Sequence, residues 1–371
     1  MTAAIRPSTG AAHARILGIG GYRPRRIVTN EEICEHIDSS DEWIRTRSGI
    51  VTRRWAGPDE TVQAMSVSAA GKALANAGIT ADQLGCVLIA TVTHLYQTPA
   101  LAPTVAHELG ATDAAAFDIS AACAGFSYGI ELAQGMVRTG SAEYVLVIGV
   151  ERLSDMTDSF DRSTAFIFAD GAGAAVVGPA NEPAIGPVAW GADGSKGRLI
   201  TQDESWAEAF HRDGESPERR PPGISAEQSP GGRPTGSPAG VGPPGEESRP
   251  AAEWPHLRME GNPVFRWAVW DGAQVAQRAL DLAGVRTEDL DAFIPHQANM
   301  RITDAMIRAL RLPPQVPVAR DIADQGNTSA ASIPLAIERM LEAGEIKSGG
   351  TALIIGFGAG LVYSAQVITL P

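Results

Sequence analysis

Short apolar runs alternate along this chain with segments of helical spacing, and glycine or polar residues separate them. Residues 14–24 have the pattern of a strand, and residues 31–37 have the pattern of a helix. An alternation of this kind is typical of proteins in which helices pack between layered sheets. The pattern therefore predicts an α/β protein.

Part of this pattern occurs twice, at nearly one offset of 206 or 207 residues and in the same order. In each copy a helix ending in Ala-Gly leads to a short apolar strand, a loop of small residues and a second apolar strand. We therefore predict two pseudo-duplicated halves, residues 1–180 and 181–371. The similar segments are 77–90 with 283–296, and 144–150 with 351–357.

The stretch FDISAACAGFSYG, residues 117–129, places Cys123 between a strand-like run and the start of a helix. Unpaired N–H groups and the macrodipole at a helix N-terminus favour an anion, so this position is expected to lower the thiol pKa. On this pattern alone Cys123 is either a nucleophile or a small buried side chain. The helical positions are Phe126, Ile130, Ala133 and Val137, closed by Gly140.

Length and composition limit the class of protein. A chain of 371 residues exceeds the usual size of one core, and its net charge of −13 disfavours nucleic acid as a partner. Three cysteines without CxxC spacing argue against a disulfide framework or a zinc cluster. The sequence has no apolar signal segment and no run long enough to span a bilayer. We expect a soluble cytoplasmic protein without a metal ion.

Residues 39–55 interleave tryptophans with arginines. An aromatic face for a base and guanidinium groups for phosphates are what a nucleotide site uses. A solvated basic turn with one packed tryptophan is the alternative. The residues concerned are Trp43 and Trp55 with Arg45, Arg47, Arg53 and Arg54.

The C-terminal half supplies polar groups where the N-terminal half supplies a thiol. His296 ends the run FIPH, and Asn327 lies in DQGNTSAASIP, and we expect both in polar loops that follow apolar strands. With Cys123 they would form a set of thiol, imidazole and amide. An imidazole N–H and an amide N–H directed at one point can stabilise an oxyanion.

Six motifs in order resemble the β-ketoacyl-acyl carrier protein synthase III family, from about Ile16 to Thr369. The resemblance implies a thiolase-like fold, with two pseudo-duplicated halves in stacked α-β-α-β-α layers, usually as a homodimer and without a cofactor. The motifs are DEWIRTRSGI (41–50), AACAGF around Cys123, FADGAGA (168–174), MEGNPVFRWAV (259–269), PHQANMRI (295–302) and GNTSAASIP (326–334).

The resemblance also implies a decarboxylative Claisen condensation that initiates fatty acid or related polyketide synthesis. The Cys123 thiolate would take the acyl group of an acyl-CoA primer. His296 and Asn327 would then stabilise the enolate formed from malonyl-acyl carrier protein. Backbone N–H groups of Cys123 and Ala359 would form the oxyanion hole of the acyl-enzyme.

The coenzyme A contacts implied by the family are Trp43 and Arg162 on the two faces of the adenine, Arg47 on a phosphate, and Asn262 and Asn299 along the pantetheine. An acidic carrier protein would need basic docking residues despite the negative charge of the chain. The docking positions implied are Arg266, Gln297, Ala298, Asn299, Met300 and Arg301.

Three departures from the family pattern change the expectations. Ala359 stands where a third consecutive glycine is usual, and its N–H remains a donor provided that φ is negative. Thr98 stands where a bulky aromatic residue often closes the acyl pocket of the partner subunit, which predicts a roomier pocket. Residues 212–252 are rich in Pro, Gly and Ser, and we predict a mobile surface loop, or alternatively a gate over the coenzyme A tunnel.

Two other functions stay open. The chain would be a synthase-III-like acyltransferase of a specialised pathway if it transferred acyl groups without decarboxylation. It would be a non-catalytic thiolase-fold partner subunit if it kept only the fold. Asn327 argues against the first, because simple transfer does not need the full enolate-stabilising pair, and Cys123 argues against the second.

Overall fold

Residues 5–211 and 255–371 are described by a computed structural model of the chain. The insertion predicted at 212–252 lies outside these residues. The described chain divides into two compact units, and the smaller one, Gln202–His256, contains a single short helix within its described residues. The larger unit contains the two principal sheets and every residue discussed below.

The helices and strands of the described residues are bounded as follows. The strands are β1 His13–Tyr22, β2 Arg26–Thr29, β3 Thr52–Trp55, β4 Leu84–Ala90, β5 Ala115–Ile119, β6 Tyr144–Arg152, β7 Asp170–Ala180, β8 Ala189–Ala192, β9 Ile200–Gln202, β10 Leu257–Met259, β11 Ala292–Pro295, β12 Thr351–Gly358 and β13 Val362–Thr369. The helices are α1 Asn30–Cys34, α2 Asp41–Ser48, α3 Val62–Ala77, α4 Leu101–Leu109, α5 Gly125–Thr139, α6 Trp206–His211, α7 Gly261–Ala283, α8 Met300–Ala309, α9 Ile322–Gln325 and α10 Ser332–Glu342.

The first sheet has the strand order β1-β7-β6-β4-β5. β4 is parallel to β5 and β6, whereas β7 is antiparallel to β6 and β1. The second sheet has the order β11-β12-β13-β8, with β11 and β12 parallel and β13 antiparallel to both β12 and β8. The parallel pair of β4 and β6 in the first sheet therefore corresponds to the parallel pair of β11 and β12 in the second.

Both sheets are covered on two faces, because neighbouring residues of each central strand enter different cores. Leu88 faces a core shared by both sheets, whereas Val87 packs with α3 and α4. Ile354 likewise faces the shared core, whereas Leu353 packs with α7 and α8. The shared core also holds α5 and α10. The predicted α-β-α-β-α layers of the thiolase-like fold are thus confirmed.

The duplication is visible in the backbone. α3 and α7 end in left-handed caps at Gly78 and Gly284, which have φ angles of 69° and 67°. A 3-10 turn and then an apolar strand follow each cap. The same correspondence joins the turns before α5 and α10, because Ala122 and Ser329 lie 207 residues apart and have φ angles of 43° and 49°.

No helix among the described residues is long and apolar enough to cross a membrane.

Candidate active site

Cys123 lies in the middle of a 3-10 turn, Ala122–Ala124, that runs directly into α5. Ala122 has a φ of 43°, an uncommon angle for a residue with a Cβ, and it turns the chain sharply between β5 and the helix. Flanking alanine and glycine residues make this tight path possible. The predicted start of a helix at the cysteine is therefore confirmed.

The Cys123 thiol is mostly surrounded by protein, although part of the residue reaches solvent. Burial raises its pKa to about 12, the interaction with the Ser329 side chain opposes this increase, and the nearby Glu151 carboxylate adds to it. The expectation that the helix terminus would lower the thiol pKa is therefore wrong for the free protein, because desolvation of the sulfur is the larger effect.

The end of β12 passes directly against the nucleophile. A Cβ added at Gly358 would lie 2.8 Å from the Cys123 Cβ and 3.0 Å from its Sγ, so only glycine fits there. Ala359 follows, and it is absent from the residues with positive φ among the described part of the chain. The condition for Ala359 to replace glycine without backbone strain is therefore met.

His296 directly follows β11 and is buried, with 2% of its surface exposed. Its Nδ1 lies 2.7 Å from the Ser332 Oγ, and its ring packs edge to face on Phe357, with 5.3 Å between ring centroids. Ser332 Oγ also accepts the backbone N–H of Gln297 at 3.3 Å, so its own proton is available for Nδ1. This assignment places the imidazole proton on Nε2.

Burial lowers the pKa of His296 to about 3, so the imidazole is neutral at physiological pH. A neutral ring with its proton on Nε2 is a hydrogen-bond donor to the site and a poor proton acceptor. In this state the ring can donate its Nε2–H to an oxyanion.

Asn327 is buried between α9 and the turn Ser329–Ala331, and its backbone pairs with Ile167 and Ala169. The expectation that it follows an apolar strand is therefore wrong. Its Oδ1 accepts the Ser329 N–H at 2.9 Å, which leaves the Nδ2 hydrogens as donors.

Two local links connect the thiol, the imidazole and the amide. Ser329, whose N–H donates to Asn327 Oδ1, also lowers the pKa of the Cys123 thiol through its side chain. Phe357, on which His296 packs, precedes the glycine that lies against Cys123. The site is thus assembled from both pseudo-duplicated halves of the fold.

Sequence reasoning did not identify Ser329, Ser332 or Glu151. Ser329 Oγ donates to Glu151 Oε1 at 3.2 Å, which connects the thiol to a buried carboxyl group on β6. The signal for the two serines was present in GNTSAASIP, two and five residues after the asparagine. Nothing in the local sequence distinguishes Glu151, because it ends an apolar strand far along the chain from its partners.

The predicted coenzyme A residues of α2 cluster with Arg162. The Arg162 guanidinium carbon lies 4.8 Å from the centroid of the Trp43 ring, and that of Arg47 lies 5.7 Å from it. Trp43 is held by an edge-to-face contact with Phe166, and Ser40 caps α2 by accepting the Trp43 N–H. The aromatic face and the two cations therefore lie together at the surface.

The other arginines of this stretch have structural partners. Arg53 is fully buried and donates to Asn30 and to backbone carbonyls, and burial lowers its pKa to about 10. Arg45 pairs with Asp41, and Arg54 donates to the Pro24 carbonyl. Of the four, Arg47 is the arginine that lies over the Trp43 ring, which makes it the candidate for a phosphate contact beside the base.

The predicted pantetheine residues differ in their surroundings. Asn262 is exposed in the first turn of α7. Asn299 caps α8, since its Oδ1 accepts the Arg301 N–H at 2.9 Å while its Nδ2 donates to the Arg47 carbonyl at 3.1 Å. Asn299 thereby fixes α8 against the end of α2, beside the tryptophan cluster.

One predicted docking residue is wrongly assigned. Gln297 is 1% exposed, donates to the Pro295 and Ala319 carbonyls, and accepts the Ile322 N–H. A surface partner cannot reach such a side chain. Of the remaining predicted docking residues, Arg266 and Arg301 are exposed and Ala298, Asn299 and Met300 are partly exposed.

Thr98 lies in the loop between β4 and α4 and is exposed on the single chain. The chain itself therefore does not enclose Thr98 in a pocket. Its predicted role in the acyl pocket of a second subunit stays a prediction.

Comparison with known proteins identifies related sequences along almost the whole chain. Residues 117–194 and 280–370 match the family profiles described as 3-oxoacyl-[acyl-carrier-protein] synthase III and its C terminal. The β-ketoacyl-[acyl-carrier-protein] synthase III 1 of Streptomyces coelicolor is 59% identical over 370 residues, 99% of each chain. A synthase III of Kocuria rhizophila is 52% identical over 379 residues, covering 100% of each.

Solved structures agree with these relatives. The priming β-ketosynthase from the R1128 polyketide biosynthetic pathway is similar at a TM-score of 0.86 and 42% identity, covering 100% of this chain and 99% of its own. The 3-oxoacyl-[acyl-carrier-protein] synthase III from Aquifex aeolicus is similar at a TM-score of 0.79 and 34% identity, covering 96% and 99%.

Proposed function

This chain belongs to the β-ketoacyl-[acyl-carrier-protein] synthase III family, and we propose that its condensation takes place between Cys123, His296 and Asn327. It is a condensing enzyme that initiates fatty acid or related polyketide synthesis. Its proposed substrates are an acyl-CoA primer and malonyl-acyl carrier protein.

In the first half-reaction the Cys123 sulfur attacks the thioester carbonyl of the primer, and coenzyme A leaves as a thiolate. The carbonyl oxygen gains negative charge in this step. The backbone N–H groups of Cys123 and of Ala359, which follows the glycine packed against Cys123, would donate to that oxygen. The N-terminus of α5 adds a favourable dipole at the same point.

In the second half-reaction malonyl-acyl carrier protein loses carbon dioxide. The electrons of the broken bond move to the thioester oxygen, and the enolate carbon then attacks the acyl group on Cys123. His296 Nε2–H and Asn327 Nδ2–H would stabilise that oxygen. Because the imidazole is neutral and the amide does not titrate, both donors persist across physiological pH.

For coenzyme A we propose that the adenine stacks on Trp43 and displaces Arg162 from its present position. A base between the two would need two contact distances of roughly 3.5 Å each, more than the 4.8 Å now between guanidinium and ring. Arg162 would then cover the other face of the base, and Arg47 would bind a phosphate. Asn262 and Asn299 would line the pantetheine.

The acidic carrier protein would dock on Arg266 and Arg301, with Ala298, Asn299 and Met300 between the basic positions. Arg301 is held in place by stacking on Phe265, with its guanidinium carbon 5.4 Å from the ring centroid. We further propose a homodimer in which Thr98 contributes to the acyl pocket of the partner subunit, and a cytoplasmic location.

One observation carries the proposed chemistry: Ser329 N–H occupies Asn327 Oδ1, so the amide offers only N–H groups to the site. The Asn327→Asp variant has the same shape but removes these donors and adds a negative charge. We expect release of carbon dioxide from malonyl-acyl carrier protein to fall at least ~100-fold, whereas acylation of Cys123 stays within about threefold.

The matched control is Asn76→Asp, which makes the same change at an amide that donates to the Ile19 carbonyl outside the site. This variant should decarboxylate at the wild-type rate. Unimpaired decarboxylation by Asn327→Asp would contradict the assigned role of the amide.

A further inference from the structure

We propose that Glu151 accepts the Cys123 proton through the Ser329 hydroxyl when the thiol is acylated, and holds it until the thiol is regenerated. The inference rests on the proposed function, because it concerns the acylation step. It assigns a role to a buried carboxyl group that the condensation scheme above does not use.

Ser329 stands between the other two groups and interacts with both. Its Oγ lies 3.2 Å from Glu151 Oε1, and the same side chain acts on the Cys123 thiol, whose pKa it lowers. A hydroxyl has one proton, so it can donate to only one of these neighbours at a time and accepts from the other. In the resting state the thiol donates to Ser329, and Ser329 donates to the carboxylate.

The position of Ser329 is fixed by its backbone. Its φ of 49° turns the side chain toward β6, while its N–H holds Asn327 Oδ1 at 2.9 Å. Ser329 therefore contacts both the group that carries the acyl chain and the group that stabilises the enolate.

The other oxygen of Glu151 is fully used by neutral donors. Oε2 accepts the Thr93 hydroxyl at 2.8 Å, the Thr91 hydroxyl at 3.3 Å and the Val92 N–H at 3.1 Å. These groups orient the carboxylate, and because none is charged they do not neutralise it. Oε1 is left facing Ser329 as the oxygen that can take a proton.

Burial raises the pKa of Glu151 to about 7, and its hydrogen bonds with the threonines, Val92 and Ser329 partly offset that increase. In the register of the sheet its neighbour on β7 is Gly171, which has no side chain. Cys123 is the titratable group at the other end of the path. A carboxyl group with this pKa is suited to accept and return a proton near neutral pH.

The alternative acceptor, His296, is less suitable. Its imidazole is neutral with a pKa of about 3, and protonation would place a charge in a site without a carboxylate partner on the ring. The ring is also needed as a donor in the second half-reaction. The geometry therefore separates proton acceptance from enolate stabilisation.

The proton balance closes over the whole cycle. During acylation the S–H bond breaks, Ser329 takes that proton and passes its own to Glu151, and the sulfur electrons form the new thioester bond. The coenzyme A thiolate takes its proton from water. When condensation later expels the Cys123 thiolate, Glu151 returns its proton through Ser329, and the starting state is restored.

The test measures reaction of Cys123 with iodoacetamide and with acyl-CoA between pH 5.5 and 9.5, by mass spectrometry, in wild type and three variants. Glu151→Gln keeps the shape of the side chain but cannot take a proton. Ser329→Gly removes the hydroxyl at a φ that glycine readily adopts. Asp170→Asn is the matched control, since Asp170 is another buried carboxyl group, hydrogen-bonded to Ala56 and Ser154.

Both rates in wild type should rise with pH through a midpoint near 7. Glu151→Gln and Ser329→Gly should lose that midpoint and fall at least ~100-fold at pH 7.5 in both reactions. Discharge of a previously acylated enzyme by malonyl-acyl carrier protein should change less than about threefold, because the carbon–carbon bond forms before Glu151 returns its proton to the expelled thiolate. Asp170→Asn should keep the midpoint, even if its melting temperature falls.

A wild-type midpoint and rate in both Glu151→Gln and Ser329→Gly would overturn the proposal. An equal loss in both half-reactions would also overturn it, because it would indicate a purely structural role. The two proposals can fail separately. If wild type reacts with iodoacetamide through a midpoint near pH 7 and Glu151→Gln abolishes that midpoint, the proton path is supported. If the same wild-type protein accepts no acyl group from any acyl-CoA, the proposed condensing function is refuted.

Discussion

Two serines, one in the turn before α10 and one at the first position of that helix, determine which atoms of the catalytic side chains remain available. Ser329 occupies Asn327 Oδ1 through its N–H, and Ser332 occupies His296 Nδ1 through its hydroxyl. An amide and an imidazole each combine a donor with an acceptor, so both would be ambiguous without these partners. The sequence predicts the residue types of the site, but the choice of atom depends on contacts that only the folded chain provides.

Ser332→Ala tests this assignment for the imidazole. Nδ1 would lose its partner and the proton would no longer be held on Nε2. We expect discharge of the acyl-enzyme by malonyl-acyl carrier protein to fall about tenfold, the equivalent of one neutral hydrogen bond, with acylation little changed.

A matched control for this prediction is Ser127→Ala. Ser127 is also a fully buried serine, near the same end of β12, but its hydroxyl has no hydrogen-bond partner among the described residues. Ser332→Ala should discharge its acyl group more slowly than Ser127→Ala does. Equal rates would show that the Ser332 hydroxyl does not control the imidazole.

Residue burial also explains where sequence reasoning was wrong. Gln297 and Arg53 are polar side chains in polar stretches, and such residues are usually exposed. Each is buried because distant backbone carbonyls accept its hydrogens, at Ala319 for Gln297 and at Phe166 for Arg53. The local sequence around a residue does not predict hydrogen-bond partners that lie so far along the chain.

At the scale of elements, the two helix-leading turns are the feature that builds the site. The turns before α5 and α10 are duplicate positions, and both contain a non-glycine residue with positive φ at the same point. One turn carries Cys123, and the other carries the serine that contacts it. The repeat could be predicted from the strands, but the left-handed angles could not, because Ala122 and Ser329 are not residues that favour them.

Ala122→Gly tests the strain in the first turn. A left-handed angle costs a residue with a Cβ about 1–2 kcal/mol, while glycine loses about 0.5–1 kcal/mol in chain entropy. We therefore expect the free energy of unfolding to rise by about 0.5–1 kcal/mol in urea denaturation. Ala124→Gly, at a φ of −85° in the same turn, should instead lower it.

The end of β12 gives a second prediction at this scale. Ala359→Pro removes the backbone N–H assigned to the oxyanion hole, so acylation of Cys123 should fall by about 10²–10³-fold in single-turnover measurements. Ala359→Gly keeps the N–H and should acylate within about threefold of wild type. Similar acylation rates in the two variants would contradict the assignment of the Ala359 N–H to the oxyanion hole.

For the whole molecule, the layered architecture follows from the apolar pattern because the central strands are buried on both faces. Runs such as residues 144–150 and 351–357 have no polar face, which requires helices on both sides of each sheet. Their repetition predicted two related halves. The sequence spacing of Cys123, His296 and Asn327 does not predict that they share one site, because that depends on how the two halves pack. The shared site is implied by the family resemblance.

Thr98→Phe tests the proposed dimer and its acyl pocket together. If the loop of one subunit lines the pocket of its partner, a larger side chain should shift the preferred primer toward shorter acyl groups. Competition between acyl-CoAs of different length would measure the shift, and sedimentation would establish the oligomeric state. An unchanged length profile in a dimeric variant would contradict the assignment of Thr98.

In the proposed mechanism one thiol, that of Cys123, carries the acyl group between the two half-reactions. Intact-protein mass should be measured after incubation with a panel of acyl-CoAs and again after addition of malonyl-acyl carrier protein. Wild type should gain one acyl mass and Cys123→Ala should not, and the carrier protein should then remove the acyl group as a β-ketoacyl product. Acylation without discharge, or acylation of Cys123→Ala, would contradict it.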